Sequence, residues 1–217
     1  MAFHVICISH ADGASGDGIG REVAARLGFR YVNEEIILEA ARQSQLDPKV
    51  VAAAEHKQSF LQRLLDSLST AQEALGAATL GAGIAVPTIQ DPYQKRATKE
   101  DLRSLIRATI LEVAKAGRAV IVTHAASLAL AGKPGVLRVL VTAPPPTRAE
   151  RVARERNLSE ADAADAIREG DSGRREYLRN FYDLDEELPT HYDLVINTEI
   201  LTPAEATALI LAATANG

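Results

Sequence analysis

Three short stretches, His4–His10 (HVICISH), Arg118–Thr123 (RAVIVT) and Leu137–Thr142 (LRVLVT), are apolar and largely β-branched with little alternation. A strand with one wet face alternates apolar and polar residues. A run without that alternation has both faces covered, as in a parallel sheet with helices on either side. Phe29–Val32 and Asp193–Asn197 (DLVIN) read as two further strands. Between the strands lie segments of helical period. Gly18–Leu27 carries Ile19, Val23, Ala24 and Leu27 on one face and stops at Gly28. Thr98–Ala116 opens with Thr98 and Asp101 in capping-box spacing, and Pro146–Arg156 follows the fourth strand. Ser159–Glu169, capped by Ser159, and the Arg-rich Asp171–Tyr182 read as two separate helices. Thr202-Pro203-Ala204-Glu205 caps the last one, with Pro at its first position. Strands alternating with helices predict an α/β fold of three layers around a five-stranded parallel sheet.

A helical block interrupts this pattern between the second and third strands. It holds Glu34–Gln43, a helix opened by Asp47-Pro48, and Ser59–Ala78, followed by a Gly-containing loop at Gly76–Pro92. The expected organisation is therefore a core of residues 1–33 and 98–217 with residues 34–97 as a helical insertion. Leu61, Leu65, Leu68, Gln72 and Leu75 recur at 4-3-4-3 spacing. Barely two heptads fall short of a coiled coil, so the first reading is a helix packed on its own domain, with a homodimer seam as the alternative.

Composition narrows the function classes. With 47% hydrophobic and 24% charged residues, the 217-residue chain can build a full core. Aromatics are 4% with no Trp, and the net charge is −5, which argues against nucleic acid as a partner. Cys7 is the single cysteine, so neither a disulfide framework nor a cysteine zinc site is expected. No apolar run approaches the length of a membrane span and no signal-peptide layout opens the chain, so a cytoplasmic protein without a membrane partner is expected.

The segment with the most chemistry is Gly13-Ala14-Ser15-Gly16-Asp17-Gly18-Ile19-Gly20, between the first strand and the first helix. Its glycines allow backbone N–H groups to turn inward around an anion, and the following helix aims its positive end at the same place. This is the phosphate-binding arrangement of P-loop proteins. A dinucleotide-binding loop is a second reading, weakened because Arg21 stands where a third glycine belongs. A tight turn that binds nothing is a third.

The loop fits G-x-S-G-x-G-K-G of cytidylate kinases, with Ile19 at the lysine position, and the wider chain resembles the cytidylate kinase-like family. The resemblance runs through residues 19–37, 119–130, 148–177 and 192–206, and is weakest over 44–97. It implies a P-loop nucleoside monophosphate kinase plan. In that plan Gly13 to Gly20 hold the phosphates of ATP, the insertion holds a CMP-like acceptor, and an Arg-rich lid around residues 151–182 closes over the transferring group. Phosphoryl transfer needs positioning and charge neutralisation, which suits arginine. Arg151, Arg174 and Arg21 are the expected catalytic cations, from a wider set with Arg154, Arg168 and Arg175. Asn33, His124, Asp171 and Arg175 are the expected acceptor-side residues. Mg²⁺ is expected to be held by the nucleotide, with no protein ligand. Three positions depart from the family pattern: Ile19 for lysine, Asn33 for aspartate, and Thr123-His124 for Gly-Arg. Two further readings therefore stand beside the kinase: a nucleotide-binding module with little catalysis, and a structural protein that dimerises through Leu61–Leu75. Ile19→Lys is the substitution that the departure suggests as a test.

Overall fold

The structure is a computed structural model that describes residues 3–33, 99–123 and 126–215. The insertion at 34–97, the helices from Glu34, Asp47 and Ser59, the Leu61–Leu75 seam, the Gly76–Pro92 loop and His124 lie outside the described residues.

Five strands form one sheet: β1 Val5–His10, β2 Arg30–Val32, β3 Ala119–Val122, β4 Val136–Thr142 and β5 Leu194–Asn197. All pairings are parallel and the spatial order is β2-β3-β1-β4-β5. Central β1 bonds on both sides, with Cys7 opposite Ile121 of β3 and Arg138 of β4. Among the described residues the α-helices are α1 Gly16–Leu27, α2 Lys99–Ala116, α3 Ala126–Ala129, α4 Pro145–Arg156, α5 Glu160–Tyr182 and α6 Pro203–Ala215.

The apolar runs are buried on both faces, as their lack of alternation requires. Val5 and Cys7 join Ile121, Ile106, Ile110, Leu130 and Tyr177 on one side, under α2, α3 and α5. Ile6 and Ile8 join Ile19, Val23, Val139, Ile196 and Ile210 on the other, under α1 and α6. Three layers result. Crossing from β3 to β4 carries the chain past β1, so the sheet changes winding direction there. In open α/β sheets the crevice at such a point, outside the carboxyl ends of the strands, is where ligands bind.

Two expectations are corrected. The first helix begins at Gly16, two residues earlier than its apolar period indicates, because the loop itself closes its first turn. Ser159–Glu169 and Asp171–Tyr182 form one helix, α5, of 23 residues. Gly170 costs about 1 kcal/mol relative to alanine in a helix interior. Buried residues along the whole of α5, from Ala163 and Ile167 to Tyr177 and Leu178, outweigh that cost. Two of the caps read from sequence are present, and the one at Thr98 lies outside the described residues. Ser159 Oγ accepts the Asp162 N–H at 3.1 Å. Thr202 and Glu205 form a reciprocal box, in which the Thr202 N–H donates to Glu205 Oε2 at 2.8 Å.

Candidate functional site

The glycine loop lies where β1 ends and α1 begins, in the crevice at the change of winding. Gly13 (φ 75°) and Ser15 (φ 64°) are both left-handed. Such alternation turns successive N–H groups to one side. The first-turn N–H groups of α1 lack intrahelical acceptors, and the Ser15 side chain does not cap them. A serine held in the left-handed region is a mild strain that persists only where the surroundings impose it.

Those surroundings give a donor to each of four successive carbonyls. Ala14 N–H donates to Ala11 O at 3.1 Å. Arg148 Nη1 donates to Asp12 O at 3.2 Å, and Arg151 Nη1 to Gly13 O at 3.3 Å. Thr198, just beyond β5, donates its hydroxyl to Ala14 O at 3.1 Å. These bonds occupy the carbonyls, while the N–H groups that open α1 lack intrahelical acceptors, an arrangement suited to phosphate oxygens.

Three of the glycines also have packing reasons. A Cβ at Gly13 would lie 2.6 Å from the Arg148 carbonyl oxygen, one at Gly16 would enter the His10 ring, and one at Gly20 would lie 2.5 Å from Val122 Cγ2. Gly18 borders open space. Ile19 is fully buried among Ile8, Val23 and Val122, so its side chain points into the core.

The expected cations are engaged. Arg151 also donates to Thr198 through Nη1 to Oγ1 at 3.0 Å and Nη2 to O at 2.5 Å, strapping α4 to the end of β5. Buried Arg174 donates to His10 O at 2.7 Å and Ser9 Oγ at 2.8 Å, and pairs with Glu187 at 2.5 Å. Burial by itself would raise the Glu187 carboxyl, but the hydrogen bonds and charge of Arg174, with the Tyr192 hydroxyl donating beside them, hold it below the usual glutamate range. Burial, then the nearby Glu187 charge, pushes the Tyr192 phenol up. Asp171 takes a bidentate pair from Arg148, at 3.0 and 2.6 Å, which ties α4 to α5. Arg156 clasps Asp12 at 2.9 and 2.8 Å. Arg154 and Arg168 pair with Glu150 and Asp165 on their own helices, and Arg175 is exposed.

On the β2 side, the Arg21 guanidinium lies 4.4 Å over the Tyr31 ring. The Tyr31 hydroxyl donates to Asp17 Oδ1 at 3.1 Å, and Asn33 bonds the same hydroxyl. Burial, then the Asp17 charge, pushes that phenol up. Thr123 caps α3 by accepting the Ala126 N–H at 3.1 Å.

The structure thus gathers Gly13 to Gly20, Arg151, Arg174 and Asp171 around one loop, and puts Arg21 and Asn33 at its β2 edge. Sequence reasoning missed Arg148, Arg156, Thr198, Glu187 and His10. A signal existed for Arg148, which lies three residues before Arg151 on one helix face. For the rest, the partner is remote in sequence. The cradle fits a phosphate by its donors. Among the described residues no group of three His, Cys, Asp or Glu could hold a metal ion.

A glycine loop opening a helix at the carboxyl edge of a five-stranded parallel sheet defines a P-loop, kinase-like fold. The sequence matches the cytidylate kinase-like family over residues 5–200, and the chain belongs to that family. Solved structures agree on the fold. An uncharacterized protein from Eubacterium ventriosum is similar with a TM-score of 0.65 at 14% identity, covering 98% of this chain and 99% of its own. A gluconokinase from Sinorhizobium meliloti has a TM-score of 0.51 at 12% identity, covering 100% and 94%. Shikimate kinase from Bacteroides thetaiotaomicron has 0.50 at 12%, covering 98% of each. No curated protein matches the sequence. Among the described residues no helix is long and apolar enough to cross a membrane.

Proposed function

We propose that this protein binds the phosphates of ATP in the Gly13–Gly20 cradle and transfers the terminal phosphoryl group to a nucleoside monophosphate, with CMP as the leading acceptor. The observation that carries the reading is the loop, whose carbonyls are bonded by Arg148, Arg151 and Thr198 and which opens directly into the N-terminus of α1. Membership of the cytidylate kinase-like family supports the acceptor class. Mg²⁺ arriving with the nucleotide would neutralise phosphate charge, and the chain's part is to orient the phosphates by backbone donors. Such placement accounts for much of catalysis in phosphoryl transfer, where the transition state spreads charge over oxygens already held. Asp171 and Arg175 on α5, and Asn33 at the entry to the insertion, are the acceptor-side residues of this reading.

A second reading has its own observation. Arg151 and Arg174 are both committed to internal partners, so a module that binds nucleotide with little turnover fits the same loop. Purified protein with ATP-Mg²⁺ and a panel of nucleoside monophosphates separates the two. ADP release above background with CMP supports the kinase. Thermal stabilisation by ATP, about 2.7 kcal/mol at 100 times its Kd, without ADP release supports the module. No stabilisation by either nucleotide rejects both.

A further inference from the structure

Arg21 stands in the second turn of α1, on the same face as Asp17 and Gly18, which precede it by four and three residues. Helical side chains lean toward the N-terminus, so a long one at position 21 can reach back over the first turn, beside the phosphate cradle. At Gly18 that face borders open space. The exposed Arg21 guanidinium rests 4.4 Å over the Tyr31 ring of β2. That ring lies close against α1, 3.4 Å from where a Cβ on Gly20 would stand. The Tyr31 hydroxyl also donates to Asp17 Oδ1 at 3.1 Å, so one side chain bonds a carboxylate of the loop and carries a cation.

The arginines that reach the loop from α4 and α5 are bonded inside the fold: Arg148 to Asp171, Arg156 to Asp12, Arg174 to Glu187 and Arg151 to Thr198. Arg21 differs. Among the described residues no carboxylate lies within ion-pair distance of it and no hydrogen bond engages its N–H groups, so the Tyr31 ring is what holds it. A guanidinium presents a planar fork of N–H donors that matches phosphate oxygens. We propose that Arg21 is the side chain that binds the terminal phosphate of the nucleotide in the cradle, a part that Ile19, buried in the core, does not play. The inference rests on the kinase reading above, in which residues 34–97 hold the acceptor. Strand β2 leads directly into that insertion, so a phosphoryl group facing an acceptor lies on the Arg21 side of the loop. Stacking on an exposed ring is a weaker hold than charge-assisted bonds to phosphate, and a bound nucleotide draws the guanidinium off Tyr31 by side-chain rotation alone.

ATP and ADP differ by that phosphate and so test the assignment. The affinities of their Mg²⁺ complexes are measured by calorimetry for the unaltered protein, for Arg21→Gln and for Arg26→Gln. The last removes an equal charge from the far end of the same helix, where Arg26 pairs with Glu22. Arg21→Gln should weaken ATP about tenfold or more, the loss expected of a hydrogen bond to a charged group, and leave ADP nearly unchanged. Arg26→Gln should leave both nearly unchanged. An unaltered ratio of ATP to ADP affinity in Arg21→Gln, whether both fall or neither does, overturns the role of Arg21 while the phosphate site stands. An equal loss of ATP affinity in Arg26→Gln marks a general effect of net charge and overturns it too. Absence of saturable binding of either nucleotide to the unaltered protein overturns the phosphate site, and the inference with it.

Discussion

Ile19 occupies the loop position at which the family pattern carries a lysine, yet its side chain belongs to the core between α1 and the sheet. Ile19→Lys therefore places an ammonium among Ile8, Val23 and Val122 instead of restoring a phosphate contact. Burying an unpaired charge is one of the few single changes that costs on the order of 3–5 kcal/mol. Urea unfolding should show that loss, with no gain in ADP release. An unchanged midpoint accompanied by faster ADP release would mean that a side chain at position 19 does reach the phosphates. The contrast with Gly13, Gly16 and Gly20 is instructive at the same scale. Composition presents them as a flexible loop, but close approach by Arg148, His10 and Val122 also leaves room there for glycine alone.

The elements around the loop are joined by arginines. Two helices carry most of them, α4 with Arg148, Arg151 and Arg156, and α5 with Arg174. Each reaches back to β1, the loop or the end of β5. Helix α5 is further anchored through Glu187 in the segment that follows it. Folded Glu187 binds its proton less readily than an unfolded glutamate does. The unfolded chain therefore takes up more protons in acid, and this contribution to stability is present at neutral pH and lost as pH falls through the folded carboxyl's depressed value. Glu187→Gln, which leaves Arg174 without its charge partner, should cost about 3–5 kcal/mol at pH 7. The gap from the unaltered protein should close as both are acidified below the ordinary glutamate range. Thermal unfolding across pH reads it directly, and a gap that persists undiminished in acid would show that the carboxylate charge is not what anchors α5.

For the molecule as a whole, Cys7 is a probe placed by the fold. It is the single cysteine, lies in the middle strand of five, and has no exposure. Burial pushes its thiol well above the usual range, so the reactive thiolate is scarce in the native state. Labelling by a thiol reagent should follow global unfolding, because both flanking strands and the helices on that face must separate first. Saturating ATP at 100 times its Kd should slow labelling about 100-fold if the loop binds it. Rapid labelling in native buffer would mean that β1 opens without the rest of the sheet.

Much of this protein was settled by local sequence. Runs such as RAVIVT have no polar face, so they can persist in water only when covered on both sides, and that determined the parallel sheet and its helical layers. Ser159 and Thr202 marked helix starts because capping is a matter of residues three apart. Glycine spacing after β1 marked the loop for the same reason. Only the tertiary structure decided what the arginines do, since Arg148 finds Asp12, Arg151 finds Thr198 and Arg174 finds Ser9 and His10 across separations that no local pattern encodes. The tertiary structure also decided that α5 is continuous, because burial along its length outweighs the glycine that a local reading takes as a stop. The direction of Ile19 was settled in the same way. A side chain at a helix start faces either the loop or the core, and the packing of α1 on the sheet chooses.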